Sequence, residues 1–233
     1  CSSDLVHQNQ FVELDNGNVL VSLGQHRLHR KLLLFNPDWL LETGREDDFS
    51  SGLQHWSTFL YQKGVVGHCA YNRSTGARLV DDPFATGEKV LKVARGIGEN
   101  LEIANQGAVW NFPALQKGTF ETEVFVPEKS KGGLLNLTDR WFNPCDTTAR
   151  HFAMYSLSLD RLQRGKWNYL KFRWNLNAEN PYCEVTNREG EFMAQLDLNK
   201  PTVNGISYVH FISTAMQPDP EGFLVKYVKS TNE

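Results

Sequence analysis

Cysteine is scarce. Four residues of 233, Cys1, Cys69, Cys145 and Cys183, are cysteines, and no two form a C-x-x-C pair. That spacing argues against a structural zinc site or a dithiol redox motif. The three internal cysteines read as small buried hydrophobes, with one disulfide among them open in an oxidising compartment. An excess of one charge is missing too: 24 Lys and Arg against 27 Asp and Glu leave a net −3, so there is no electrostatic footprint for nucleic acid. No apolar run approaches the roughly 18 residues of a membrane-spanning helix. Helical periodicity is nearly absent, the best candidate being a turn or two around Pro37–Leu41. With 40% hydrophobic and 22% charged residues, wholesale disorder is excluded. A chain of this length buries roughly 70% of its unfolded surface and needs no metal or disulfide to hold it.

What is present is strand signal. Phe11 to Leu14 and Val19 to Leu23 flank the turn Asp15-Asn16-Gly17-Asn18, whose Asn-Gly pair tolerates positive φ and marks a hairpin. A basic stretch, His26 to Lys31, leads into a third strand, Leu32 to Phe35. The exposed His26 and His29 beside three cations read as solvated rather than as metal ligands. These elements form a small meander over residues 1–45. The charged run Arg45-Glu46-Asp47-Asp48 interrupts the apolar pattern and opens a second domain, 46–233. There short strands and turn signals recur every ten to fifteen residues. Phe120, Thr122, Val124 and Val126 alternate with Glu121, Glu123 and Phe125. Leu170, Phe172, Trp174 and Leu176 form an inward set against outward Tyr169, Lys171, Arg173 and Asn175. A second hairpin turns at Asn187-Arg188-Glu189-Gly190 between Tyr182–Thr186 and Glu191–Leu198, and strands follow at Ile206 to Thr214 and Gly222 to Lys229. Many short strands and few helices predict an all-β, two-sheet antiparallel sandwich with a small N-terminal β-meander.

Three segments carry a family resemblance. Glu46-Asp47-Asp48-Phe49 with Leu53 and Trp56, the run Gly165 to Trp174, and the 181–198 hairpin followed by Gly205 to Phe211 resemble concanavalin A-like (laminin G-like) jelly rolls of secreted bacterial glycan-degrading proteins. The resemblance covers about 80% of the chain and implies a fold far more than an activity. Phe11 to Val21 and Asn36 to Leu40 resemble strands of a sialidase-like β-propeller and the exit of a blade into a lectin-like domain. A lone blade cannot bury both its faces, so the resemblance implies packing on the sandwich, on a propeller or on a partner. The Asp-box and arginine triad of sialidases are absent, and that activity does not carry over.

Candidate chemistry is sparse. Hydrolases of this resemblance place carboxylates on one strand as Glu-x-Asp-x-x-Glu or Glu-x-Asp-x-Glu. The nearest run here is Glu121-Thr122-Glu123, with Glu128 beyond Pro127, which reads as a solvated outer face. A polysaccharide lyase would need a tyrosine or histidine base and a cation. The residue types exist in Tyr169, Lys171 and His210 and in the set His151, Tyr155, Arg140 and Arg173, with His151 and Tyr155 read as two positions of one strand, but the lyase motifs are missing. The most sugar-like segment is the loop Thr138 to Thr148. There Trp141 suits stacking on a pyranose, and Asp139, Arg140 and Asn143 suit hydroxyls; alternatively Trp141 and Phe142 plug one end of the sandwich and Asp139 pairs with Arg140. Tyr169 and Lys171 complete the candidate ligand set. Asp47 and Asp48, with Asp197 or Glu221, offer hard oxygens for a structural calcium; no other cofactor is expected. The opening Cys1-Ser2-Ser3-Asp4 has the form of a mature bacterial lipoprotein with a lipid anchor on Cys1, or of an arbitrary cut in a longer chain.

The expectation is therefore a non-catalytic carbohydrate-binding or accessory module for a poly- or oligosaccharide, secreted, periplasmic or on the outer surface of a bacterium. The rivals are a lyase or glycoside hydrolase using the same sandwich face, and a structural domain packing on a propeller or partner subunit.

Overall fold

The structure, a computed structural model, describes residues 10–23, 31–61, 69–70, 77–97, 103–144 and 146–233. Cys1, His26, His29 and Cys145 lie outside the described residues. Two units divide the chain, Cys1–Thr43 and Gly44–Glu233.

In the first unit β1 (Gln10–Glu13), β2 (Val19–Leu23) and β3 (Lys31–Phe35) form a three-stranded antiparallel sheet in chain order. The β1–β2 turn closes as its Asn-Gly pair requires: Gly17 takes φ +79° and its N–H donates to the Leu14 carbonyl at 2.8 Å. A 3₁₀ turn over Pro37–Leu41 follows. Phe11 and Val12 are neighbours on one strand and so occupy opposite faces, yet they are 67% and 53% exposed. Leu34, aligned with Val12 through Leu20, is 64% exposed.

The second unit is the expected two-sheet sandwich. Its strands are β4 (Gly44–Asp47), β5 (Trp56–Tyr61), β6 (Cys69–Ala70), β7 (Arg78–Asp81), β8 (Lys89–Ile97), β9 (Ile103–Leu115), β10 (Lys117–Phe125), β11 (Gly133–Thr138), β12 (Tyr155–Ser158), β13 (Trp167–Asn175), β14 (Tyr182–Thr186), β15 (Phe192–Asp197), β16 (Ile206–Ser213) and β17 (Asp219–Asn232). The first sheet runs β7-β8-β17-β10-β13-β14-β15, with β4 beside β8 on the same edge of β17. The second runs β12-β11-β16-β9-β5-β6. Strand β9 belongs to both: Ile103–Asn105 pairs with β8, and from Gln106 onward the strand pairs with β5 and β16. Among the described residues no helix is long and apolar enough to cross a membrane.

Period-two alternation aims one face of each sheet inward. Trp110 and Phe112 of β9, Trp56 of β5 and Phe211 of β16 meet Phe120 of β10 and Phe172 and Trp174 of β13 in one buried cluster. Trp56 and Trp110 stack at 6.2 Å, and Phe120 lies 6.0 Å from Phe112 and 5.9 Å from Phe172. Each such ring is worth about 2–3 kcal/mol in apolar area removed from water, so this cluster dominates the stability of the unit. Cys183 is a buried free thiol within it. The backbone of Phe49 is strained, at φ 67°. Its N–H donates to Asp47 Oδ1 at 2.8 Å and its ring packs 5.3 Å from Trp56, whose Nε1–H donates to Asp47 Oδ2 at 3.1 Å. Burial and one carboxylate hold the turn in place.

Candidate functional site

The outward positions of the two sheets differ in kind. On the first sheet Tyr169, Lys171 and Arg173 of β13 point away from the core, as their alternation with Leu170, Phe172 and Trp174 predicts. The Tyr169 hydroxyl donates to Glu121 Oε2 at 2.8 Å and Lys171 Nζ pairs with Glu121 Oε1 at 3.1 Å. Arg188 pairs with Glu123 and lies 4.8 Å above the Tyr169 ring, and Arg173 pairs with Glu233 at 2.7 Å. Burial, and then the Glu121 carboxylate, push the Tyr169 hydroxyl well above the ordinary tyrosine range. A cavity of about 510 Å³ on this face is lined by Trp167, Tyr169, Asn187, Arg188 and Phe192. Tyr169 and Arg188 are engaged with Glu121 and Glu123, and Asn187 Nδ2 donates to Glu191 at 2.8 Å, while the buried Trp167 Nε1–H has no partner. Glu121 and Glu123 face outward, as expected, but instead of being solvated they are paired with Lys171 and Arg188 and largely covered, which leaves a charge-neutralised outer face.

The second sheet presents a different surface. The strand register aligns Ser57 (β5), Val109 (β9), His210 (β16), Asn136 (β11) and Ser156 (β12) in one row across five strands. The next row aligns Asn111, Tyr208 and Thr138. These positions alternate with core residues Trp56, Trp110, Phe211, Leu137 and Leu157, so they face outward. Arg45 Nη1 donates to Asn111 Oδ1 at 3.4 Å at the margin of the second row. None of the outward residues of these two rows carries a carboxylate.

The Thr138 to Thr148 loop folds back over this face. The Pro144 carbonyl sits 3.0 Å from His210 Nε2. It also lies over Gly107, where any Cβ would run into it. Only glycine admits this approach. Asp139 anchors the loop at its start: Arg140 donates through Nε and Nη2 to the two Asp139 oxygens at 2.8 Å each, and Thr202 Oγ1 donates at 2.7 Å. The Arg140 guanidinium holds the Asp139 carboxyl below the usual carboxylate range. At the far end Thr148 donates N–H and Oγ1–H to Asp146 Oδ1 at 2.8 and 2.6 Å, and Phe142 stacks on Phe152 at 5.6 Å. Trp141 stands 46% exposed on the loop.

Beneath the loop two polar side chains are incompletely satisfied. Asn136 and His210 are 0% and 1% exposed. Asn136 Oδ1 accepts from the Ser156 hydroxyl at 2.7 Å, but Asn136 Nδ2 and His210 Nδ1 have no partner. Burial pushes the His210 imidazolium down to about 4, against smaller opposing contributions from the Pro144 carbonyl and Asp146. The ring is neutral at neutral pH.

The candidate residues thus separate. Asp139, Arg140, Trp141 and Asn143 belong to the loop over the second sheet, while Tyr169 and Lys171 face outward from the first, and no single site contains both groups. The placement of His151 and Tyr155 on one strand is corrected: His151 ends a 3₁₀ turn (Ala149–His151), and Tyr155 opens β12 opposite Leu137, directed into the core. The sequence between them bends because the Ala149 carbonyl accepts the N–H groups of both Phe152 and Ala153. With Arg173 on the opposite sheet, His151, Tyr155, Arg140 and Arg173 do not assemble into a lyase centre. The Asp47 and Asp48 oxygens bind N–H groups of Phe49, Trp56 and Ser50. Among the described residues no group of three or more His, Cys, Asp or Glu is placed to hold a metal. Asn111, Asn136 and Ser156 were not legible as site residues; the signal was the alternation within β9, β11, β12 and β16, readable only once the register of five strands is known.

Two antiparallel sheets clasping an aromatic core, with β9 crossing between them, define a concanavalin A-like jelly-roll fold. Among solved structures, a protein named Sialidase superposes on 93% of the chain with a TM-score of 0.52 at 14% identity, the chain spanning 21% of its length. A LamA variant from Z. galactanivorans in complex with laminaritriose and laminaritetraose matches 80% of the chain and 97% of its own, with a TM-score of 0.50 at 15% identity. At such identities the likeness establishes the fold alone. No protein-family model and no curated protein matches the sequence.

Proposed function

We propose that the Gly44–Glu233 unit is a non-catalytic carbohydrate-binding module that receives a neutral poly- or oligosaccharide on the outer face of the second sheet, beside the Trp141 loop. The observation carrying this reading is the chemistry of that face. Ser57, Asn111, Asn136, Ser156, Tyr208 and His210 are uncharged hydrogen-bonding groups on two rows with no carboxylate, and the loop whose Pro144 rests on this face carries the half-exposed Trp141. Sugar hydroxyls pair with such groups, and a pyranose face stacks on an indole. Glycoside hydrolysis by the usual pair of carboxylates has no footing there. The reading places the protein where polysaccharide is met, outside the cytoplasm.

Affinity electrophoresis against a panel of neutral polysaccharides tests it. The wild type is expected to be retarded by at least one, Trp141→Ala to lose about tenfold or more in affinity, and Lys171→Met, on the opposite sheet, to bind as the wild type does. No retardation of the wild type, or loss in Lys171→Met alone, overturns the reading.

A second reading concerns residues 1–43. Phe11 on one face and Val12 and Leu34 on the other are exposed, which supports packing of both faces of this three-stranded sheet against partner sheets. Fluorescence of a hydrophobic dye bound to the chain is expected to fall when Val12 and Leu34 are both changed to Ser; an unchanged signal sinks it.

A further inference from the structure

We propose that the cavity on the first sheet's outer face, walled by Arg161 and Lys166, is a binding site for an acidic saccharide, one whose sugar ring carries a carboxylate or a sulfate ester. It lies on a different sheet from the neutral-saccharide site proposed above and stands or falls independently of it.

The cavity, of about 510 Å³, has the size usual for small-ligand sites. Two segments supply most of its wall. Arg161, Gln163 and Lys166 come from the link between β12 and β13, and Asn187 to Met193 from the turn of β14 into β15. Each segment is fixed by one asparagine. Asn168 Nδ2 donates to the carbonyls of Gln163 and Lys166 at 2.8 and 3.0 Å, and its Oδ1 accepts the Gln163 N–H at 3.1 Å. Asn187 Oδ1 accepts the N–H groups of Glu189 and Glu191 at 3.1 and 2.8 Å. Both segments are therefore held in place by the protein itself, which lowers the ordering cost of binding.

The charge pairing that neutralises the rest of this face stops at the cavity. Arg164 pairs with Asp160 at 3.1 Å and spends Nη1 on the carbonyls of Pro127, Glu128 and Ser130. Arg188 pairs with Glu123. The side chains of Arg161 and Lys166 are exposed on the cavity wall and have no ion pair or hydrogen bond among the described residues. Two uncompensated cations on one fixed segment favour an anion, and the planar Arg161 fork matches two oxygens of one oxyanion.

The hairpin segment carries the opposite sign. Glu189 has no side-chain partner, and Glu191 spends one carboxylate oxygen on Asn187. Carboxylates accept from sugar hydroxyls and repel a densely charged polyanion. Phe192 and Met193, 65% and 39% exposed, add apolar surface to the same cavity, which suits the C–H face of a pyranose. A neutral sugar leaves Arg161 and Lys166 unused, and a cation is repelled by them. A sugar with one anionic group uses both segments.

Affinity electrophoresis at low salt, in gels of polygalacturonate, alginate, a sulfated galactan and the same galactan desulfated, tests this. The wild type is expected to be retarded by at least one of the three acidic polymers and less by the desulfated galactan than by its sulfated form. Retardation by the uronates or by the sulfated galactan tells a carboxylate from a sulfate ester. Arg161→Met with Lys166→Met is expected to lose tenfold or more in affinity, as is the wild type at about 1 M salt, where the screening length falls to about 3 Å. Lys129→Met with Arg150→Met, which removes the same charge outside the cavity, and Trp141→Ala are expected to bind the acidic polymer as the wild type does. No retardation by any acidic polymer overturns the site, as does a cavity double variant that binds like the wild type or no worse than the charge-matched control. In each of these cases retardation by a neutral polysaccharide that depends on Trp141 leaves the reading of the second sheet intact.

Discussion

Acidification perturbs one side chain of the second unit in a calculable way. His210 sits 1% exposed under Pro144 and its imidazolium is pushed down to about 4, whereas an unfolded histidine titrates near 6.5. Between those values the unfolded chain holds a proton that the folded chain refuses. Stability therefore falls as pH drops below about 6.5 and keeps falling to about 4, and above 6.5 this group contributes no slope. The gap is about 2.5 pH units at about 1.36 kcal/mol each, so roughly 3 kcal/mol of stability present at pH 7 is lost by pH 4. Carboxylates as a class titrate in the same range, so the contribution is isolated by difference. Urea unfolding of the wild type and of His210→Gln, at intervals from pH 7.5 to 4, supplies it. The wild type is expected to lose about 3 kcal/mol more than the variant across that window. A difference constant to within about 0.5 kcal/mol, or an imidazole resonance of His210 that titrates near 6.5 in the folded protein, refutes the buried placement and with it the covered face.

Two further outcomes probe the loop. Asp139→Asn removes the charge that holds both Arg140 nitrogens and the Thr202 hydroxyl, and is expected to cost about 1–3 kcal/mol in thermal or urea unfolding. Because the Asp139 carboxyl is held low, its contribution is present at neutral pH and fades as pH falls through the acidic carboxylate range; a variant as stable as the wild type counts against the anchor. Gly107→Ala places a methyl where Pro144 O lies. It is expected to displace the loop at a cost of about 1–3 kcal/mol and to speed exchange of the Asp146 amide, and unaltered exchange speaks against the close approach.

Most of the architecture was legible because it rests on local rules. The Asn16-Gly17 and Glu189-Gly190 turns both take the positive φ that glycine allows, and the alternation in β10 and β13 sorted inward from outward residues without knowledge of any partner strand. The face that matters was less legible because its row is drawn from five strands separated by up to about 150 residues. Nothing in the vicinity of Asn136 indicates that His210 lies opposite, or that a proline from the intervening loop will rest on Gly107. His151 and Tyr155 misled for a related reason. Spacing alone supports a shared strand, but the Phe152 and Ala153 N–H groups turn back to Ala149 instead of entering a ladder.

The two outer faces differ more in their charge pairing than in their aromatic residues. The first sheet's outer face carries Trp167, Tyr169 and exposed Phe192, and although Trp167 Nε1–H has no partner there, Tyr169, Lys171 and Arg188 are bound to Glu121 and Glu123. The second sheet keeps a buried amide and a buried imidazole, each with one atom unpaired, where a leucine and a phenylalanine would fill the space with no such cost. Stability is not what Asn136 and His210 serve. Asn136→Leu is accordingly expected to leave the fold as stable as before, or more so, while binding weakens, and that opposition of stability and binding marks a site rather than a scaffold.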